Sequence, residues 1–332
     1  SKKFTASIFK FRHGRLFDRI IIKWIHLKII GLIDTKLVYN DESFVTLHMH
    51  LNEIKQALKK QLAGQFESVE LGPILSILIE HITGWDQMDQ VVHKDNSISE
   101  SQVLAFETAA AGLVAGRPIQ YITGKAWFMG ATYTVNEHVL IPRPETEELV
   151  DWVIEYAEIK GKALRILDIG TGSGCIAIAL KKAMPEATVA AIDISTSAIK
   201  IAESNAAALK ADIELIALDI LNTAFLPGQY DVIVSNPPYI PMQEMKNMDL
   251  QVTDHEPNIA LFVPDEDPLV FYKAIARLAK LHLSSNGQLF FEIHYDQGEA
   301  LIALLDEMHF HAELRTDLFG KDRMIRASLK PR

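Results

Sequence analysis

Apolar residues recur at helical spacing from Met49 onward. Leu51, Ile54, Leu58 and Leu62 fall on one face of a helix. Leu71 to Ile82 forms a second apolar helical stretch, closed by Gly84. Ser97 or Ser99 is placed to cap a third helix, running through Val103, Phe106, Ala110 and Val114 to Gly116. The period then changes. Tyr121–Gly124, Trp127–Gly130 and Tyr133–Val135 read as short strands separated by glycine turns, which predicts a β-hairpin linker. Pro144 followed by Glu145, Glu147 and Glu148 opens a helix, because proline suits its first turn and acids suit its positive end. From Arg165, strands predicted at 165–169, 188–193, 213–218, 230–235, 288–293, 311–316 and 323–329 alternate with helices near 174–183, 195–210, 268–282 and 296–308. Such alternation predicts an α/β fold with a mostly parallel sheet of seven strands and helices on both faces. The expected organisation is a helical domain over 49–116, a hairpin linker over 117–143 and an α/β domain over 144–332.

Charge separates off a further segment. The 332 residues carry a formal net charge of −10, but residues 1–48 hold nine Lys and Arg against four Asp and Glu. That segment is +5 and the remainder −15. Its apolar run, Ile20 to Ile33, spans 14 residues and is interrupted by Lys23 and Lys28. A membrane-spanning helix needs about 20 mostly apolar residues, and Asp34-Thr35-Lys36 does not form a small-residue cleavage site. An amphipathic surface helix is one reading, since basic and apolar residues mix; the expectation is a dispensable extension, with native protein starting at Met49 and no association with membrane. A composition 48% hydrophobic and 23% charged is that of a globular protein. One cysteine excludes an intrachain disulfide and multi-cysteine metal sites, and fits the cytoplasm. The acidic body argues against a nucleic acid as direct substrate, since that requires a field of Lys and Arg.

Two loops carry candidate chemistry. Asp168-Ile169-Gly170-Thr171-Gly172-Ser173-Gly174 lies between a predicted strand and a predicted helix. Glycines there allow a tight turn and close approach of a ligand to the backbone. The spacing is G-x-G-x-G, so the dinucleotide fingerprint is not met. Asp193 ends the next strand, where an acid can accept hydrogen bonds from both ribose hydroxyls of an adenosine-type cofactor. It also precedes a helix and could serve as its cap. Asp219 and Ile220, after the third strand, stand where an adenine could lie, although Ile220 equally suits core packing.

Ser235-Asn236-Pro237-Pro238-Tyr239 follows the predicted strand at 230–235. The prolines fix the backbone and donate no hydrogen bond, so the Pro237 carbonyl is free to accept. With the Asn236 side-chain carbonyl it can hold both hydrogens of a planar NH2 group, while Tyr239 packs on the flat face. Acceptors on those hydrogens raise electron density on a nitrogen that is otherwise a poor nucleophile. Cys175 reads as a small buried helix residue. The 12 histidines show no H-x-x-x-H pair with a supporting acid, so no metal is expected.

Asp168–Gly174, Asp193 and Asn236–Tyr239 together resemble the S-adenosylmethionine-dependent methyltransferases that modify planar NH2 groups. Ile141-Pro142-Arg143-Pro144-Glu145-Thr146-Glu147 narrows the resemblance to the HemK family of peptide chain release factor glutamine methyltransferases. Gly116–Gly124, Glu256-Pro257, Glu292–Gly298 and Asp317–Arg323 extend it, in order, from about Met49 to Leu329. The resemblance implies a Rossmann-like methyltransferase domain preceded by a helical recognition domain. It implies methyl transfer from S-adenosylmethionine to the glutamine amide of a release factor's Gly-Gly-Gln loop, with S-adenosylhomocysteine as product and the protein acting as a monomer. Carried over by position, Gly170, Thr171, Gly172, Ser173, Gly174 and Asp193 would hold the cofactor, and Asn236 to Tyr239 the glutamine. The alternatives are a ribosomal-protein glutamine methyltransferase, a nucleic-acid amino-methyltransferase and a non-catalytic binding module. The chain departs from the family after Leu261-Phe262, where Val263–Pro268 replaces a glycine-rich turn.

Overall fold

The computed structural model describes residues 49–161 and 163–331. The expectations about residues 1–48 lie outside them. The described chain divides into two compact units, one ending at Ala115 and the other beginning at Gly116.

In the first unit, β1 (Met49–His50) leads into α1 (Leu51–Leu62), followed by α2 (Ser68–Thr83), α3 (Gln87–Val92), β2 (Ser97–Ile98) and α4 (Glu100–Val114). β1 and β2 pair antiparallel. The predicted stripe of α1 is the buried one, and α2 ends at Gly84 in the left-handed conformation. Ser99 caps α4, accepting from the Gln102 amide. The phase of α4 differs from expectation. Phe106, Ala109, Ala110 and Leu113 face inward, whereas Val114 is 45% exposed. Small alanines let the backbone approach α1 and α2, so packing chose a face that an apolar count alone does not mark.

The second unit opens with a correction. Tyr121–Gly124, expected as a strand, fall instead in the short helix α5 (Ile119–Thr123) and its cap. Pro118 begins it and Gly124, left-handed at φ 70°, ends it. The Tyr121 hydroxyl donates to the Val139 carbonyl at 2.6 Å. Turn chemistry and that tertiary bond outweigh the strand preference of Tyr, Ile and Thr. The hairpin itself is as expected: β3 (Lys125–Phe128) and β4 (Ala131–Thr134) pair antiparallel across Met129-Gly130. Both turn residues have positive φ, as a two-residue hairpin turn of this hand requires.

The helix α6 (Pro144–Lys160) precedes β5 (Arg165–Ile169), α7 (Cys175–Ala183), β6 (Thr188–Asp193), α8 (Thr196–Leu209), β7 (Glu214–Ala217) and β8 (Tyr230–Ser235). A short parallel pair, β9 (Ile240–Pro241) and β10 (Phe262–Val263), flanks α9 (Leu250–Thr253). The chain ends with α10 (Val270–His282), β11 (Leu283–Glu292), α11 (Gly298–Glu307), β12 (Phe310–Thr316) and β13 (Asp322–Leu329). β11 starts earlier than predicted. Leu283 pairs with Tyr230, then the register shifts before Gln288 meets Val232, so polar Ser284–Gly287 lies within an irregular strand.

The seven strands stand in the order β12-β13-β11-β8-β5-β6-β7. Only β13 runs against the others, pairing antiparallel with both β11 and β12. Alternation along each strand divides the core between the two faces. Val232, Val234 and Phe290 pack with Leu149, Val153 and Leu180 on one side. Ile233, Leu289 and Phe291 pack with Tyr272, Ile275 and Leu301 on the other. Among the described residues, no helix is long and apolar enough to cross a membrane.

Asn205, in α8 and 1% exposed, ties the hairpin to the glycine turn. Its amide nitrogen donates to the carbonyls of Ser173 (2.9 Å) and Thr134 (3.0 Å), and its oxygen accepts from the Thr134 amide (2.7 Å). Asn205→Ala leaves these buried backbone groups unpaired. It should cost about 2–4 kcal/mol in urea unfolding, against within about 0.5 kcal/mol for alanine at exposed Glu203.

Candidate active site

β5 and β8 are neighbours, with Ile169 opposite Ser235, and the strand order reverses between them. Open α/β sheets bind ligands at this crevice, beyond the carboxyl ends of the strands. Both candidate loops emerge here. The glycine turn leaves β5, and Asn236–Tyr239 leaves β8. The Ser235 hydroxyl donates to the Ile169 carbonyl at 2.7 Å and pins one loop's root to the other.

A cavity of about 230 Å³ opens at the crevice. Gly170, Gly172, Asp193, Asp219, Ile220, Asn236, Pro237 and Pro238 are among its lining. Thr171, Ser173 and Gly174 are not, and serve the turn's own support. The Thr171 hydroxyl donates to Asp168 at 2.6 Å, the Ser173 carbonyl accepts from Asn205, and Gly174 packs under α8. A Cβ on Gly174 would sit 3.1 Å from both Ala202 Cβ and Ile178 Cδ1. At Gly172 (φ 55°) a Cβ would meet no atom within 4 Å, so the space before this glycine is open for a ligand to approach the backbone.

The Asp193 carboxylate accepts from the Gly172 amide (2.9 Å) and the Ser195 amide (2.8 Å), one on each oxygen. It therefore braces the glycine turn. The helix cap that Asp193 could have supplied is Ser195 instead, which accepts from the Ala198 amide. Each Asp193 oxygen keeps a further lone pair, and the residue lines the cavity. Burial holds its carboxyl above the usual range, opposed by those backbone donors. Asp219 lies two residues beyond β7, in a turn where it accepts from Leu221 and Asn222. The bond from Asn222 lowers its pKa. A polar acceptor pair at Asp193 and apolar walls at Leu218, Ile220 and Ile192 suit a ribose and a flat base.

A second cavity of about 170 Å³ adjoins the first. Arg143, Tyr239, Ile240, Met248 and Val252 contribute to it, and Leu140, Asn236, Pro237 and Ala260 line both. The two spaces therefore meet at Asn236-Pro237. Among the described residues, neither Asn236 Oδ1 nor the Pro237 carbonyl receives a hydrogen bond.

Several supporting residues were not singled out from sequence. Asn236 Nδ2 donates to Thr146 Oγ1 at 3.2 Å, Thr146 Oγ1 donates to Glu292 Oε2 at 2.6 Å, and the Tyr239 hydroxyl donates to Glu292 Oε1 at 3.2 Å. Burial pushes the Glu292 carboxyl up, against the hydrogen bond from Thr146 and the charge of Arg323. Burial likewise pushes the Tyr239 phenol up, so it remains a neutral donor. Glu256, 5% exposed, pairs with Arg143 and accepts from the Ile141 amide at 3.1 Å. Thr146, Glu256 and Glu292 all lie in segments that carry the family resemblance, which is the signal that could have marked them.

The departure at Val263–Pro268 does not loosen the site. Phe262 and Val263 pair with Ile240 and Pro241, and Asp265 accepts from the Gln243 amide at 2.9 Å. Glu244, His294 and Asp296 come within reach of one another, a grouping no histidine spacing announces. A carboxylate faces each nitrogen of that ring. Cys175 is buried, and its thiol is pushed up to about 12, chiefly by burial, so it is not a nucleophile at neutral pH.

The sheet order, the reversal beside β5 and the paired loops define a class, the Rossmann-like methyltransferases. Residues 153–254 match the methyltransferase small domain, and residues 51–124 match the PrmC N-terminal domain. The release factor glutamine methyltransferase of Flavobacterium psychrophilum is 42% identical over 285 residues, covering 85% of this chain and 100% of that protein. The one from Bacteroides thetaiotaomicron is 40% identical over 281 residues, covering 84% and 100%. A solved protein-(glutamine-N5) methyltransferase (release factor-specific) from Alicyclobacillus acidocaldarius is 28% identical, covering 60% of this chain and 100% of that one, with a TM-score of 0.37. The chain belongs to the release factor glutamine methyltransferase family.

Asp168 gives a pH prediction. It is fully buried, Oδ1 has no partner among the described residues, and burial pushes its carboxyl up to about 7. Unfolded, it titrates near 3.8. Between these values the folded state binds more protons than the unfolded one, so this residue's contribution to stability falls as pH rises from about 4 to about 7. Asp168→Asn removes the titration. Its stability relative to the parent, by urea unfolding, should be higher at pH 8 than at pH 5.

Proposed function

We propose that this chain transfers the methyl group of S-adenosylmethionine to the side-chain amide nitrogen of the glutamine in a release factor's Gly-Gly-Gln loop. The carrying observation is the meeting of two cavities at Asn236-Pro237, where two carbonyl oxygens receive no donor among the described residues. Family membership supports the same acceptor.

The donor set fits the cofactor. Gly170 and Gly172 leave backbone space, Asp193 offers free lone pairs to a ribose, and Leu218, Asp219 and Ile220 flank a place for adenine. Thr171, Ser173 and Gly174 hold that frame from behind. When bound, S-adenosylmethionine supplies an electrophilic methyl on a sulfonium and leaves as S-adenosylhomocysteine. The chain supplies position. Asn236 Oδ1 and the Pro237 carbonyl accept the two amide hydrogens, which fixes the NH2 plane and enriches its nitrogen. Pro238 holds the loop rigid, and Tyr239 packs beside the acceptor. Orientation of this kind can lower a barrier by about 7–11 kcal/mol.

The same proposal assigns residues 49–116 to substrate recognition, 117–143 to a linker and 144–332 to methyl transfer. Exposed Met88, Val91 and Val92 on α3 support a recognition role for the first unit. The −15 of residues 49–332 supports a protein substrate over nucleic acid, and the single buried thiol supports a cytoplasmic setting. A monomer suffices, since every group in the mechanism comes from one chain.

Labelled cofactor incubated with release factor, ribosomal protein and RNA should label the release factor alone. Label on either of the others in its place would refute the proposed acceptor. Asn236→Ala should lower kcat by about 10²-fold or more with cofactor affinity nearly unchanged in calorimetry. Asp193→Ala should do the reverse, chiefly weakening cofactor binding.

A further inference from the structure

An amide side chain can be turned end for end with little change of shape, and its two ends have opposite hydrogen-bonding character. The proposed transfer needs the oxygen end of Asn236 to face the acceptor. Asn236 cannot enforce this alone. The chain from Asn236 through Thr146 to Glu292 can. An ionised carboxylate only accepts, so the Thr146 hydroxyl hydrogen must point to Glu292 Oε2, 2.6 Å away. The Thr146 oxygen is then left as an acceptor toward Asn236. Only Nδ2 can satisfy it, at 3.2 Å, and Oδ1 is left at the other end of the amide group.

We propose that Glu292, acting through the Thr146 hydroxyl, is a positioning residue that fixes the direction of the Asn236 amide and thereby makes the site accept a donor NH2 group. The proposal rests on the methyl-transfer reading above. The geometry suits the role. Glu292 is 1% exposed and Thr146 3%, so water does not compete for these bonds. Glu292 Oε1 accepts from the Tyr239 hydroxyl, so one carboxylate sets both ends of the Asn236–Tyr239 loop. Arg323 supplies positive charge that favours the ionised form. A buried acid touching neither cavity would otherwise be a costly ornament.

The test compares the native enzyme with Thr146→Val, Thr146→Ser and Glu292→Gln in methylation of a release factor, with cofactor affinity measured by calorimetry. Thr146→Val removes the hydroxyl at nearly constant shape. Glu292→Gln can donate to Thr146 and so reverse the relay. Both should lower kcat by about ten- to a hundredfold while the cofactor Kd stays within about threefold. Thr146→Ser should recover most of the loss. A release factor whose acceptor glutamine is changed to glutamate adds a readout that a merely structural role would not move. Its carboxylate accepts and does not donate, so it should inhibit the native enzyme poorly and the Glu292→Gln enzyme about tenfold better. Native kcat in both variants, or equal inhibition of all enzymes, would overturn the proposal. Neutron diffraction of the native protein separates this idea from the acceptor assignment. Deuterium is expected on the Asn236 atom facing Thr146. Deuterium on the other atom would overturn the relay whatever the substrate, whereas failure to methylate release factor with the expected deuterium would overturn the acceptor alone.

Discussion

The site depends on the parallel pairing of β5 with β8. Ile169 stands opposite Ser235, and the Ser235 hydroxyl closes on the Ile169 carbonyl. One strand ends in the glycine turn and its neighbour in Asn236-Pro237-Pro238-Tyr239. A slip of one residue would invert the faces of Val232, Ile233 and Val234 and mismatch both halves of the core, so the register is strongly held. The hydrophobic core therefore fixes the separation of two loops, one built of glycine, serine and threonine and the other held rigid by Pro237 and Pro238. Strand order does the rest. The chain reverses beside β5, so no helix crosses the crevice between the loops.

Around that crevice, polar groups are buried at a cost that only complete pairing offsets. Asp193 answers the Gly172 and Ser195 amides, Asn205 answers Thr134 and Ser173, Glu256 answers Ile141 and Arg143, and Glu292 answers Thr146 and Tyr239. Three of the four reach one of the two loops, Asp193 and Asn205 at the glycine turn and Glu292 at Asn236–Tyr239, while Glu256 holds the segment that leads into α6. Among the described residues, Asn236 Oδ1 and the Pro237 carbonyl receive no hydrogen bond, and both residues line the two cavities. Asp168 Oδ1, Ser173 Oγ and Gln297 Oε1 are buried exceptions near the two loops, and the raised pKa of Asp168 records the cost of its burial.

Much of this was legible in the chain. The change from a period near 3.6 to short apolar runs marked the α/β domain, and β5, β6 and β8 fall on the residues expected. Those strands are buried on both faces and bounded by glycine, proline or acid, which makes their signal strong. Asn236–Tyr239 was legible because its chemistry is contiguous. Tyr121–Gly124 misled, since Tyr, Ile and Thr favour strands while Pro118 and Gly124 bracket a helix. In α4 the inward face is built partly of alanines, which carry little pattern. Thr171, Ser173 and Gly174 belong to the motif by sequence but support it from behind, a distinction that only φ angles and neighbours reveal.

Sequence by itself determined the order of the seven sheet strands along the chain, the α/β class, the two candidate loops and the family. Each rests on local period, turn chemistry or a contiguous motif, and such information is carried by neighbouring residues. Tertiary structure alone decided which side chains stand behind the loops. Thr146 and Glu292 are 146 positions apart and Ile141 and Glu256 are 115 apart. No periodicity relates residues at such distances. Thr146 and Glu292 meet because strand order and register carry α6 and the end of β11 to the same edge of the sheet, and there a buried carboxylate must find donors.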